Sequence, residues 1–175
     1  GEAQRKYMGT LWNTYAFFCL YADVDGYNPA EYDLRKCKLS LMDKWILSKL
    51  NTLIDTVDKQ LAVYNITDSA RALQDFADIL SNWYVRRGRD RYWGSEMTED
   101  KAAAYTTLWY VLTTFAKLTA PYTPFIAEQM YLNLVPAFFK DAPESVHLCD
   151  FPVCDSSMVD EELERGMDAV LDIVN

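Results

Sequence analysis

Histidine is almost missing: the 175 residues contain one, His147. A Ser-His-Asp relay is left with a single candidate base in an irregular, proline-containing stretch, and a two-histidine metal site has no second ligand. The six glycines form no phosphate-cradling loop. Cysteine is sparse and scattered, at Cys19, Cys37, Cys149 and Cys154. A chain of this length can bury a core without staples, so the four read as free thiols of a reducing cytoplasm. His147, Cys149 and Cys154, with or without Cys37, lack the two tight ligand pairs that announce zinc, and no metal site is expected. Long apolar runs are absent as well. The richest, Tyr15 to Ala22, is far short of the roughly 18 residues of a membrane span and reads as core. The opening residues, Glu2, Gln4, Arg5 and Lys6 among them, are polar and show no secretory pattern.

Positive charge is also in short supply, with 17 Lys and Arg against 26 Asp and Glu and a formal net charge of -9. Yet four arginines fall within six residues, Arg86-Arg87-Gly88-Arg89-Asp90-Arg91, preceded by Trp83-Tyr84 and followed by Tyr92-Trp93. Four positive charges and one negative give this run +3, which leaves -9 - 3 = -12 on the other residues. An acidic body repels nucleic acid everywhere but here. Guanidinium forks pair with phosphates, and their flat faces, like aromatic rings, stack on unpaired bases, so this mixture suits a reader of an RNA loop.

Half of the sequence is apolar and 14% is aromatic, which is ample for a buried core. Its rhythm is helical. Met8, Leu11, Tyr15 and Phe18 step by three and four, as do Ile46, Leu50, Leu53, Val57 and Leu61; Leu73, Phe76, Leu80 and Trp83; and Ala104, Leu108, Val111, Phe115 and Leu118. Four such stripes buried against one another predict an all-α, up-and-down helical bundle. Ser40 and Thr98 are hydroxyl caps for the second and fourth helices, neither followed by the Glu or Gln of a capping box, and Thr67 or Asp68 starts the third. Asp25-Gly26 ends the first helix, Tyr64-Asn65 turns after the second, and Gly94-Ser95 closes the third beyond the arginines. A fifth helix follows Pro124, from Phe125 to about Leu134. The expected organisation is one domain over 1–175, with a core at about 3–135, an irregular stretch at 136–157 holding a short extended piece at Ser145-Val146-His147-Leu148, and an acidic helix at about 159–174 leading into a further C-terminal region. The carboxylates at Asp160, Glu161, Glu162 and Glu164 read as an exposed helix start.

At 100° per residue, Arg87 and Arg91 lie within 40° of each other, Arg86 lies 100° from Arg87 and Arg89 faces the other flank, a collar around a helix tip. Basic residues also suit the negative end of a helix, and Arg86 with Asp90 has the spacing of a surface pair. Trp83 and Tyr84 continue an apolar stripe and are expected in the core. The candidate RNA-binding residues are therefore Arg86, Arg87, Arg89 and Arg91, with Tyr92 and Trp93 for base stacking. A protein-interaction bundle, binding partner helices or acidic peptides, is the alternative that composition permits.

The run Asn82-Trp83-Tyr84-Val85-Arg86-Arg87-Gly88-Arg89-Asp90-Arg91-Tyr92-Trp93 resembles the signature of the anticodon-binding domains of class Ia aminoacyl-tRNA synthetases, those of isoleucyl type in particular. Further pieces occur in that family's order: Gly9-Thr10-Leu11-Trp12-Asn13, Leu41-Met42-Asp43-Lys44-Trp45-Ile46-Leu47, Ala120-Pro121-Tyr122-Thr123-Pro124-Phe125, and Ser145-Val146-His147-Leu148 leading to Phe151-Pro152. The resemblance covers about residues 3 to 174. Gly88 departs from it where serine is frequent, and Asp90 where arginine is. It implies a helical bundle that binds the anticodon stem-loop of isoleucine tRNA, as one part of an enzyme joining isoleucine to that tRNA. It implies no cofactor and no catalytic residue for this piece, because ATP and magnesium belong to a catalytic domain with His-Ile-Gly-His and Lys-Met-Ser-Lys-Ser motifs. Neither motif is present. Lys36-Cys37-Lys38-Leu39-Ser40 shares with the second its first and fifth positions, a chance-level agreement.

Overall fold

In the computed structural model, which describes residues 1–174, the chain forms six α-helices, with no strand among the described residues. The first, α1 (Glu2–Asp25), ends where Gly26 turns left-handed at φ 64°. The Gly26 and Tyr27 amides return to the carbonyls of Asp23 and Ala22, closing a Schellman motif that a side chain at residue 26 would strain. Helix α2 (Leu41–Ala62) opens on a reciprocal cap. The Asp43 amide donates to Ser40 Oγ at 3.1 Å and the Ser40 amide to the Asp43 carboxylate at 2.9 Å. Aspartate here does what the expected Glu or Gln would do, so the sequence reading of Ser40 as a lone cap was too weak.

Helix α3 (Ile66–Ile79) starts one residue before Thr67, capped by Asn65. Helix α4 (Glu99–Thr119) follows its expected cap Thr98, and α5 (Pro124–Leu134) begins at Pro124, one residue before the expected Phe125. The four expected stripes do converge. Leu11, Tyr15 and Phe18 of α1, Ile46, Leu50, Leu53 and Val57 of α2, and Leu73, Phe76 and Leu80 of the third helix share one core with α4, where Phe76 stacks on Phe115. Helix α4 is the central post, buried on nearly every side from Ala103 to Leu118, so its sequence is apolar well beyond one stripe.

Two expectations fail in the C-terminal third. Residues 146–148 form a 3₁₀ turn rather than an extended piece, because Val146 sinks into a small cluster with Ala127 and Tyr131 while its amide donates to the Glu128 carboxylate at 2.8 Å. The acidic start of α6 (Glu161–Val174) is not wholly solvated either. Glu164 is buried against α2, accepting from Ser48 Oγ at 2.6 Å and Thr52 Oγ1 at 2.8 Å, and the Ser48 hydroxyl accepts from the Asp160 amide at 2.7 Å. With Lys49 paired to Asp168 at 2.9 Å, these bonds lash α6 to α2. The last turn of α6 is thereby carried to the same end of the bundle as the arginines.

Candidate nucleic-acid interface

The third helix does not run straight into its basic tip. After Ile79 it widens into a π-helical segment, Leu80–Val85, in which the Arg86 amide donates to the carbonyl of Ser81, five residues back. A π segment of this length is rare and costs regular hydrogen bonding, and such insertions cluster at functional positions. It keeps Tyr84 and Val85 in the core and leaves Trp83 half-buried at the rim, where the sequence pattern had expected core. The helix then ends at Gly88, whose φ of -94° and ψ of 7° begin a 3₁₀ turn over Arg89–Tyr92. A β-carbon on Gly88 would stand 2.9 Å from the Tyr84 carbonyl oxygen, so this turn is fitted to glycine and a serine there requires a shift of backbone.

This ending splits the six candidates. Arg86, Arg87 and Arg89 are exposed, and among the described residues none has a carboxylate at ion-pair distance, the expected Arg86–Asp90 pair included. The Arg87 guanidinium lies over the Trp83 ring at 4.8 Å, and that of Arg89 lies 5.9 Å from the Phe17 ring. Both planes are thus braced by aromatic carbon while their N–H edges stay free, an arrangement that favours charge presentation over charge neutralisation. Trp93 is 59% exposed.

Arg91 and Tyr92 do something else, and the sequence expectation for both is corrected. Arg91 turns inward and pairs fork to fork with Asp43, Nη1 to Oδ1 at 2.7 Å and Nη2 to Oδ2 at 2.8 Å. Its remaining N–H groups meet the Asp100 carboxylate at 2.9 and 3.0 Å. A guanidinium held by two carboxylates has no edge left for RNA. Tyr92 is 3% exposed, packed edge-on against Tyr105 and Phe17, with its hydroxyl donating to the Ala104 carbonyl. It cannot stack on a base. The helical-wheel argument that set Arg91 beside Arg87 failed because regular α geometry stops between them.

The electrostatics of this frame follow from burial. Burial by itself raises the Asp43 carboxyl pKa, yet hydrogen bonds from Arg91, Tyr84 and Ser40 outweigh it and hold the group below the ordinary carboxylate range. Tyr84 donates to the same carboxylate at 2.6 Å, and burial keeps its phenol protonated. Beside this network sits a second. Lys101, 2% exposed, bridges Asp25 at 2.7 Å and the Gly94 carbonyl at 2.8 Å, and Tyr105 also donates to Asp25. Asp25 is therefore ionised too: burial pushes its pKa up, and Lys101 and Tyr105 together bring it below the ordinary value. Arg91 and Lys101 thus clamp the turn on both sides of Trp93, fixing where it projects. Sequence reasoning missed Asp43, Asp100 and Lys101 as parts of the site. The capping spacing of Ser40 and Asp43 was visible, but nothing local announces that Lys101 is buried.

A three-arginine patch with an exposed tryptophan, on an ionically clamped turn at one end of a helical bundle, has the free positive charge and open ring that suit a polyanion with unpaired aromatic groups. Residues 43–175 match the family described as the anticodon-binding domain of tRNA ligase. The chain belongs to that family. It is 56% identical over 99% of its length to an isoleucine–tRNA ligase of Clostridium novyi (strain NT), and 51% identical to that of Clostridium tetani over the same share. It is 47% identical over 99% of its length to the isoleucine–tRNA ligase of Bacteroides thetaiotaomicron. The chain spans 17% of the length of the two clostridial relatives and 15% of the third.

Proposed function

We propose that this anticodon-binding domain recognises the anticodon stem-loop of isoleucine tRNA, and that it does so as a non-catalytic module of an isoleucine–tRNA ligase of the cytoplasm. The longer enzyme would join isoleucine to its tRNA with ATP and magnesium, in a catalytic domain outside these residues, and this module would take no cofactor. The observation that carries the reading is the exposed trio Arg86, Arg87 and Arg89, unpaired among the described residues, beside Trp93, at the end of a domain of net charge -9. Together with Asp90 the trio contributes +2, enough to orient an RNA loop toward this end and away from the acidic flanks. Phosphate contacts position the loop; bases splayed against Trp93 and the guanidinium planes supply discrimination. Contacts made by the rest of the enzyme raise the effective concentration of the loop, so modest affinity here still decides which tRNA is held.

A titration of the domain with the isoleucine stem-loop and with an anticodon-swapped variant, at several salt concentrations, tests the reading. The cognate loop is expected to bind more tightly, with a log-log salt slope of about -2 to -3 for three neutralised phosphates at roughly 0.7 to 0.9 each. Equal binding of the two loops, or a flat salt response, refutes it.

A further inference from the structure

A second cationic tract borders the arginines. The loop between α1 and α2 carries Arg35, Lys36 and Lys38, and Lys44 follows in the first turn of α2. All four are exposed, and among the described residues none has a carboxylate at ion-pair distance. The loop is fixed around these side chains: Asp33 caps its 3₁₀ turn, Leu34 and Leu39 pack against the core, and Tyr27 at its start donates to Thr106 Oγ1 at 3.0 Å. Its other end is tied to the arginine turn by one carboxylate. Asp43 Oδ2 accepts from the Ser40 amide at 2.9 Å and from Arg91 Nη2 at 2.8 Å, and from Ser40 back to Lys36 the chain spans at most about 14 Å. Resting on the reading that the arginine end meets the anticodon loop, we propose that Lys36, Lys38 and Lys44 hold backbone phosphates of the stem that carries that loop.

Chemistry separates the two tracts. Guanidinium forks beside an open tryptophan ring suit base edges and base faces, whereas a lysine ammonium is a compact point charge with no plane to stack, and suits a phosphate. The rings nearest the lysines in the sequence, Tyr27 and Tyr32, are stacked on each other at 5.4 Å. A paired stem hides the edges of its bases in a deep, narrow groove and is met through its backbone, so it asks for charge at fixed positions and little else. Lys44 carries a further mark. The first turn of a helix is its positive pole and disfavours a cation, yet Asp160 and Glu161, which share a shallow hollow with Lys44, stay beyond ion-pair distance. The fold gains nothing from a cation there; a bound phosphate would. Arg35 is set aside, because its charge already acts on Asp155, whose carboxyl is held below the ordinary range by hydrogen bonds from Ser157 first and by Arg35 after them.

The test separates charge from sequence. Lys36, Lys38 and Lys44 are changed together to glutamine, and the unaltered and altered domains are titrated by fluorescence anisotropy with the isoleucine stem-loop and its anticodon-swapped variant at several salt concentrations. A log-log slope of about -2 to -3 counts the three arginines alone; with three more phosphates engaged, the unaltered domain is expected to give roughly -4 to -5 and the glutamine variant to return to about -2 to -3. Both RNAs should lose affinity alike, by about 2- to 5-fold per lysine, with the ratio between them unchanged. Trimming the stem to the pairs next to the loop should cost the unaltered domain the same part of its slope and cost the variant nothing. Arginine at the three positions should restore binding. Lys44→Gln alone, expected to resist urea at least as well as the unaltered chain, reads the same effect as a slope shallower by roughly 0.7 to 0.9, should the triple variant fail to fold by circular dichroism. If the glutamine variants keep slope and affinity, the tract is left to a partner such as an acidic protein and the proposal is overturned, while discrimination of the swapped anticodon still supports the loop reading. A changed ratio between the two RNAs would place the lysines among the base contacts and overturn it as well. Equal binding of both RNAs with the slope difference intact removes the loop reading and leaves the lysine contact standing; if the unaltered domain binds neither, both proposals fall.

Discussion

Replacing Arg91 with methionine should damage stability rather than recognition. The variant keeps the length of the side chain but leaves Asp43, which is fully buried, without its bidentate partner. Removing one member of a buried pair typically costs about 3–5 kcal/mol, because the remaining charge stays desolvated. Here the hydrogen bonds from Tyr84 and Ser40 to Asp43 survive, and Arg91 is itself 17% exposed, so the lower end, about 3 kcal/mol, is expected. For a chain of this size that lowers Tm by roughly 6–12 °C. Urea denaturation at pH 7 measures the loss. Arg87→Met, which removes a guanidinium with no acidic partner among the described residues, serves as the comparison and should change stability by no more than about 0.5 kcal/mol. The pH dependence supplies a sign. In the unaltered chain Asp43 has a depressed pKa, so its stabilisation is complete above the unfolded value near 3.9 and fades as pH falls below it toward the folded value. In Arg91→Met burial dominates and the pKa rises above the unfolded value, so acidification from neutral pH should restore stability. The two curves should converge below about pH 4. An Arg91→Met domain that unfolds like the unaltered chain yet loses RNA binding would refute the reasoning and return Arg91 to the RNA surface.

Lys101→Met strips Asp25 and the Gly94 carbonyl of their buried cation, and should destabilise by about 3 kcal/mol while speeding amide exchange at residues 94–98. Unchanged exchange there would show that the Trp93 turn does not depend on the clamp. Ser48→Ala removes a donor to Glu164 and the acceptor for the Asp160 amide; a loss of about 1–3 kcal/mol, with faster exchange throughout α6, is expected by hydrogen-exchange mass spectrometry. Tyr64 turns left-handed at φ 58° with its ring 89% exposed, so Tyr64→Gly should relieve strain and raise stability by about 0.5–1 kcal/mol in urea. A destabilised variant would mean that the tyrosine ring is held by contacts that outweigh the strain.

Much of the architecture was legible because helices advertise themselves by local rules. The stripes through Leu11, Leu50, Leu73 and Leu108 are set by a period of 3.6, and the ends at Gly26, Ser40, Thr98 and Pro124 by backbone chemistry that any sequence window contains. What could not be read was tertiary. Glu164 looks like any solvated acid at a helix start, and its burial depends on Ser48 and Thr52, more than a hundred residues away. Residues 145–148 alternate like a strand, but no neighbouring strand exists among the described residues to pair with them. The arginine run stood out in the sequence as a local charge anomaly, and three of its four arginines are exposed. Its division into two roles was not legible there, because the wheel assumes that 100° per residue persists through a π segment and a 3₁₀ turn.

That division is the physical core of the site. Four arginines on a regular helix end would repel one another and sample many rotamers, and a regular helix would set Arg91 within 40° of Arg87, so that it could not turn the first inward while the second projects. The π segment, the bend at Gly88 and the tight turn change the direction of successive side chains abruptly, so that Arg91 reaches Asp43 and Asp100 as Arg86, Arg87 and Arg89 face solvent. Burying Arg91 costs desolvation that an apolar residue of similar shape would avoid. What the ion pair supplies is geometry. A forked guanidinium between two fixed carboxylates admits one register of the turn, whereas a methionine in the same space would admit several. The surface proposed to face RNA would therefore owe its shape to an arginine that is turned away from it, and the cost in desolvation is the reason that Arg91→Met, and not the loss of an exposed arginine, is the change that should separate fold from recognition.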